Sequence, residues 1–182
     1  MKKLGFILVL ALLTTVNSIA QEINWVTFEE ALELQKKEPK KIMMDVYTNW
    51  CGPCKMLDKN TFQNKDVAAY VNKHYYAVKF NGEGNEKVTY DGRNFENTGY
   101  KPELANRRNS AHPLANYLQV DAYPTIVFFG EDAKVLTPLR GYQQPQQLEL
   151  YLKLFKDNEH VNMKSQEDFN AYFETFKPEF KS

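Results

Sequence analysis

This sequence has little cysteine: 182 residues contain two, Cys51 and Cys54. A disulfide-stapled fold is thereby excluded, because a bridge across so short a stretch closes a tiny loop, and loop-closure stabilisation grows with loop length. Histidine is nearly as scarce, and His74, His112 and His160 stand at no spacing that would complete a zinc site with a cysteine pair. No excess of one charge exists either, since 23 Lys and Arg face 23 Asp and Glu. Nucleic acid is therefore not an expected partner, because phosphate contacts demand clustered cations. The longest apolar run, Leu4 to Val16, falls short of the roughly 20 residues of a spanning helix. Internal repeats are also lacking.

That run is informative in another way. Lys2 and Lys3 precede it, and Ser18-Ile19-Ala20 offers small residues at a cleavage spacing, so residues 1–20 read as a secretory signal peptide with Gln21 opening the mature chain. A membrane anchor is the alternative reading of the same run. No cysteine follows the cleavage site, so a lipid anchor is not indicated. The expected location is the periplasm or another exported compartment, without stable membrane insertion. Disulfides persist there, yet this pair staples nothing, which points to chemistry. The remaining ~160 residues suffice for one domain with a real core.

Thr27-Phe28-Glu29-Glu30 reads as a capping box, with Phe28, Ala31, Leu32 and Leu34 supplying the apolar face of a helix to about Lys37. Ile42 to Tyr47 is nearly continuously apolar, as expected of a strand buried on both faces in a parallel sheet, with Asp45 its single charge. A helix follows from Gly52, fading near Asn60. A second runs from about Lys65 to Asn72 with Val67, Tyr70 and Val71 inward, and Tyr75 to Phe80 is the next strand. Residues 82–110 differ in kind. Four of the eight glycines lie there, among Asn, Asp and Glu, and Val88 to Phe95 has the form of a hairpin turning at Asp91-Gly92. We read this stretch as an insertion; its spacing fits no calcium loop. Leu114 to Leu118 forms a short helix, Thr125 to Phe129 and Val135 to Leu139 an antiparallel pair, and Gln146 to Phe155 a helix. A last helix over 165–176, capped by Ser165 and Asp168, lines Phe169, Tyr172, Phe173 and Phe176 on one face. That face either packs on the domain's own surface or recruits a partner.

Two thiols separated by two residues across the first turn of a helix can close into a disulfide and reopen with little backbone motion. Cys51, at the helix N-terminus, faces free N–H groups and the positive end of the dipole, which favour the thiolate. It is the expected nucleophile, and Cys54, one turn deeper, the resolving thiol. Pro53 suits the first turn because its missing N–H is not needed there.

The segment Asp45-Val46-Tyr47-Thr48-Asn49-Trp50-Cys51-Gly52-Pro53-Cys54-Lys55 resembles the active-site segment of the thioredoxin family. Tyr123-Pro124-Thr125 resembles that family's cis-proline loop, Lys79 matches the lysine of its central strand, and Gly141 with Leu148 matches its last helix. The run from Cys54 to Phe62, with Asp66-Val67, is most similar to exported bacterial members. The resemblance spans about residues 25–157, the insertion excepted. It implies an α/β thioredoxin fold: a mixed central sheet flanked by helices over 21–158, an insertion after the central strand, and a C-terminal helical extension over 159–182.

By the same resemblance Asp45 is a desolvated carboxyl that takes the Cys54 proton through water, with Lys79 opposing its raised pKa. A charged pair without a catalytic role is the plainer alternative. Pro124, if cis rather than trans, lets the main chain of Tyr123 pair with an extended substrate, while Trp50, Gly52, Pro53, Tyr123 and Thr125 supply contact surface. No separate cofactor is implied, the Cys51-Cys54 disulfide being the redox group, and no metal. Tyr47, Thr48, Asn49 and Lys59 depart from the family pattern, which leaves substrate contacts and redox poise open. The insertion follows a strand at its carboxyl end, so it is expected to flank the cysteines. The implied activity is reduction of disulfides in exported proteins, recharged by a membrane-embedded thiol electron donor. An oxidase or isomerase, or a binding module with idle cysteines, are the other readings.

Overall fold

The structure, a computed structural model, describes residues 22–181; the expected signal peptide lies outside them. Strand β1 (Trp25–Val26) leads into α1 (Phe28–Lys37). Its capping box forms as predicted, the Glu30 N–H donating to Thr27 Oγ1 and the Thr27 N–H to Glu30 Oε2. Phe28 and Ala31 are buried, but Leu34, expected beside them, turns to solvent. Gln35 takes the inner place, where its Nε2 donates to the carbonyls of Lys40 (2.6 Å) and Gly130 (2.8 Å) and so ties α1 to the start of β2 and the turn after β6.

Strand β2 (Lys41–Tyr47) is buried through all but its last residue. Helix α2 (Gly52–Leu57) continues as a wider π-type turn over Asp58–Phe62, past the expected end at Asn60. Thr61 anchors that extension by donating its hydroxyl to Gln143 O at 2.6 Å. Helix α3 (Lys65–His74) buries Val67, Ala68 and Val71, with Tyr70 half-buried against Phe180. After β3 (Tyr75–Asn81) come β4 (Val88–Tyr90) and β5 (Arg93–Phe95). Asp91 and Gly92 between them have φ of 51° and 70°, the left-handed pair that a two-residue hairpin turn needs. The remaining elements are α4 (Pro113–Tyr117), β6 (Thr125–Phe129), β7 (Val135–Arg140), α5 (Pro145–Lys156) and α6 (Gln166–Thr175).

The main sheet has the order β1-β3-β2-β6-β7. Strands β1, β3 and β2 are parallel, whereas β6 and β7 are each antiparallel to the preceding neighbour, so the sheet is mixed. The insertion leaves from β3, an interior strand, and β2 holds the middle. Strand alternation divides the core. Met44, Val46 and Phe129 join Phe28 and Leu114 on one face, while Met43 and Phe128 join Val71, Leu148 and Leu152 on the other. Helix α6 docks on α5 through Phe169, stacked 6.1 Å from Tyr151, and leaves Phe173 61 % exposed. No helix among the described residues is long and apolar enough to cross a membrane.

Candidate redox site at the start of helix α2

Cys51 is the N-cap of α2, and the Cys54 N–H donates to its Sγ at 3.1 Å. The two sulfurs are joined in a disulfide with Cα atoms 5.3 Å apart. Once that bond opens, the same N–H is placed to stabilise a Cys51 thiolate. Both cysteines are 2 % exposed, so overall burial does not set Cys54 deeper, contrary to expectation. What separates them is a cleft of about 560 Å³, which Cys51 lines and Cys54 does not. Trp50, Gly52, Pro53, Ala122 and Tyr123 share its wall with Glu83, Arg108 and Asp121.

The Tyr123-Pro124 peptide bond is cis. Tyr123 meets Trp50 edge-on at 6.2 Å and donates its hydroxyl to Gly82 O at 3.1 Å, while burial pushes the phenol pKa up to about 12. Among the described residues, no backbone group engages the N–H or C=O of Tyr123. Gly82 permits this packing, since a Cβ there would lie 2.5 Å from Tyr123 Cε1. Thr125 stands apart: it is fully buried and its hydroxyl donates to Ala122 O, so it does not line the cleft.

Asp45 pairs in register with Lys79 across β2 and β3. Burial raises its carboxyl from 3.8 to about 6 despite Lys79 Nζ at 3.1 Å from Oδ2, and Oδ1 has no hydrogen-bond partner. Desolvation wins over the single cation. Lys79 is divided, because it also binds Asp58 and lies over the rings of Tyr47 (4.8 Å) and Trp25 (5.3 Å). Burial works to lower its pKa, and the two carboxylates outweigh that and leave it raised. Sequence reading missed Asp58. Its signal was present: it stands one helical turn after Cys54.

The insertion closes the site from the side. Glu83 accepts the Trp50 indole N–H at 2.7 Å and the Asn109 N–H at 2.8 Å, Asn49 donates to Ala105 O, and the Arg108 guanidinium lies 5.0 Å from the centre of the Trp50 ring. Glu83, Arg108 and Asp121 had no motif to mark them. For Glu83 and Arg108 only the position of the insertion at a strand's carboxyl end pointed here, and Asp121 lies beyond it.

A family model described as a thioredoxin-like domain matches residues 28–156, the whole of the site included. The chain belongs to the thioredoxin-like domain family. This thioredoxin-like domain is 26 % identical over 121 residues to the thiol:disulfide interchange protein DsbD of Pectobacterium atrosepticum, covering 65 % of this chain and 17 % of that protein. It is 29 % identical over 128 residues to DsbD of Actinobacillus pleuropneumoniae serotype 5b, covering 66 % and 18 %. The chain thus spans under a fifth of the length of these relatives. A thioredoxin-fold protein from Helicobacter pylori superposes with a TM-score of 0.54 at 22 % identity, over 75 % of this chain and 83 % of that one, which agrees with the fold.

Proposed function

We propose that this protein is a thiol-disulfide oxidoreductase that reduces disulfides of exported proteins. One observation carries the reading: Cys51 receives the Cys54 N–H and lines a cleft that also presents Tyr123, whose main chain is unpaired. An extended substrate can pair with that main chain and bring its disulfide to Cys51. The Cys51 thiolate then attacks one substrate sulfur, the substrate S–S bond breaks, and the departing sulfur takes a proton. Cys54, giving its proton through water to Asp45, attacks Cys51 Sγ and releases the second substrate thiol. Two electrons pass to substrate, and Cys51-Cys54 becomes the disulfide. A carboxyl with a pKa of about 6 is suited to accept and return a proton near neutrality.

Resetting the pair needs a dithiol, which in this reading a membrane-embedded thiol donor supplies; the likeness to thiol:disulfide interchange proteins supports the exchange step itself. In this reading the protein works in the periplasm after loss of residues 1–20. Trapping is the test. Cys54→Ser should accumulate mixed disulfides through Cys51, and Cys51→Ser should abolish reduction of insulin-type disulfides. Full activity without Cys51 would make the fold a binding module. A strongly oxidising potential of the Cys51-Cys54 couple would instead reverse the direction of transfer and assign an oxidase or isomerase.

A further inference from the structure

Three charged side chains border the cleft at Cys51, and two of them are committed. Glu83 holds the Trp50 indole and the Asn109 N–H, and Asp121 pairs with Arg140 at 2.8 Å. Arg108 is different. Its guanidinium rests over the Trp50 ring and, among the described residues, has no ion pair or hydrogen bond of its own. A guanidinium attracted to a ring face spends none of its N–H donors on that contact, so they remain open to a ligand.

The backbone that carries Arg108 is tied down. Asn109, the next residue, ties the loop down three times: its N–H to Glu83, its Nδ2 to Lys101 O at 2.8 Å, and its Oδ1 from the Lys101 N–H at 3.0 Å. Glu83 thus fixes both the indole under the guanidinium and the backbone beside it. An exposed planar cation over the Trp50 ring, in the cleft that Cys51 lines and without a partner of its own, can receive a carboxylate, because the Arg fork matches the two carboxylate oxygens.

We propose that Arg108 selects disulfides in which an acidic residue neighbours the cysteine under attack, an inference that rests on the exchange activity given above. A chain laid along Tyr123 brings its cysteine to Cys51 and passes a flanking side chain along the same cleft, where Glu or Asp meets Arg108. Lysine at that place meets a like charge.

The test uses the mature chain and matched peptide disulfides with Glu, Gln or Lys beside the cysteine, each rate normalised to that peptide's reaction with dithiothreitol. At low ionic strength kcat/KM for Glu over Lys should be about tenfold, as for a rim charge with partial screening, and it should shrink in high salt. Arg108→Gln should bring the ratio close to one, Arg108→Lys should keep part of it, and Arg108→Glu should invert it. A merely structural arginine would not exchange its preferred peptide on charge reversal. Equal rates on all three peptides in the wild type, or an unchanged preference in Arg108→Glu, overturn the proposal while disulfide exchange stands. If the wild type reduces none of the peptides although Cys51 is alkylated when reduced, the exchange activity itself is wrong and the proposal falls with it.

Discussion

Asp45 in the middle of β2 and Glu149 in the middle of α5 are both withdrawn from water, 1 % and 0 % exposed, and each has a lysine beside it. Their surroundings differ. Glu149 takes Lys153 at 2.8 Å one helical turn on, and accepts the N–H of Glu179 at 2.9 Å and of Phe180 at 2.8 Å. Asp45 has the shared Lys79 on one oxygen and no partner on the other. A buried carboxylate with three donors is an anchor, whereas one with a single divided cation accepts a proton at little cost. The anchor closes the back of the molecule, where residues 177–181 return along α3 and α5, with the Lys181 N–H on Asp66 and Lys181 O on Asn64. The protonatable group lies in the strand that runs to Cys51.

Removing the anchor is the harshest way to try this contrast. Glu149→Leu leaves the N–H groups of Glu179 and Phe180 and the Lys153 ammonium without this acceptor, and should cost about 3 kcal/mol in urea unfolding. Amide protection at Glu179 and Phe180 should vanish with it. Glu149→Gln keeps an acceptor and should lose about half as much. A wild-type midpoint for Glu149→Leu would break the comparison.

Asp45→Asn should act in the opposite direction. Because the folded pKa of about 6 lies above the ordinary 3.8, the native state binds more proton than the unfolded chain between those values. The stability linked to this group is full below pH 3.8 and is lost as pH rises through 6. At pH 7.5 the amide should therefore stabilise the protein, by up to about 3 kcal/mol for a gap of that size, and the gain should disappear near pH 4. Reduction should slow by tenfold or more, as expected for loss of a proton acceptor, and the rate profile should lose its inflection near 6. A stabilised variant with an unchanged pH-rate profile would leave Asp45 a structural charge only.

The two carboxylates also mark what could be read in the sequence. Asp45 was legible because it is the one acid in a buried apolar run beside a C-x-x-C, and the strand, the capping boxes and the Asp91-Gly92 turn were equally local. Glu149 was not. It sits in a helix rich in polar residues, and its partners Glu179 and Phe180 lie a whole helix away in sequence. Glu83 and Arg108 failed for the same reason, since their roles arise from contacts across the fold. Leu34 and Gln35 exchanged places as the Gln35 amide bridges the carbonyls of Lys40 and Gly130, a long-range contact that helical periodicity does not register.

The smallest expected effect sharpens the contrast from the insertion. His112 is fully buried; its Nδ1 accepts the Leu114 N–H at 3.1 Å, so the ring proton is on Nε2, which donates to Glu86 O at 2.7 Å. Burial lowers its pKa below 6.5 although the Glu86 carbonyl opposes this. The stability linked to His112 is thus present above 6.5 and lost as pH falls through the folded value, the reverse of Asp45. A protonated ring would aim an N–H at the Leu114 N–H, so acid should loosen α4 and the loop at Glu86 before it disturbs the sheet. Amide protection at Leu114, after correction for intrinsic exchange, should fall between pH 7 and pH 5. In His112→Gln, whose amide keeps a donor and an acceptor but does not titrate in this range, that fall should be absent; an equal fall in the variant would show that another group controls the insertion.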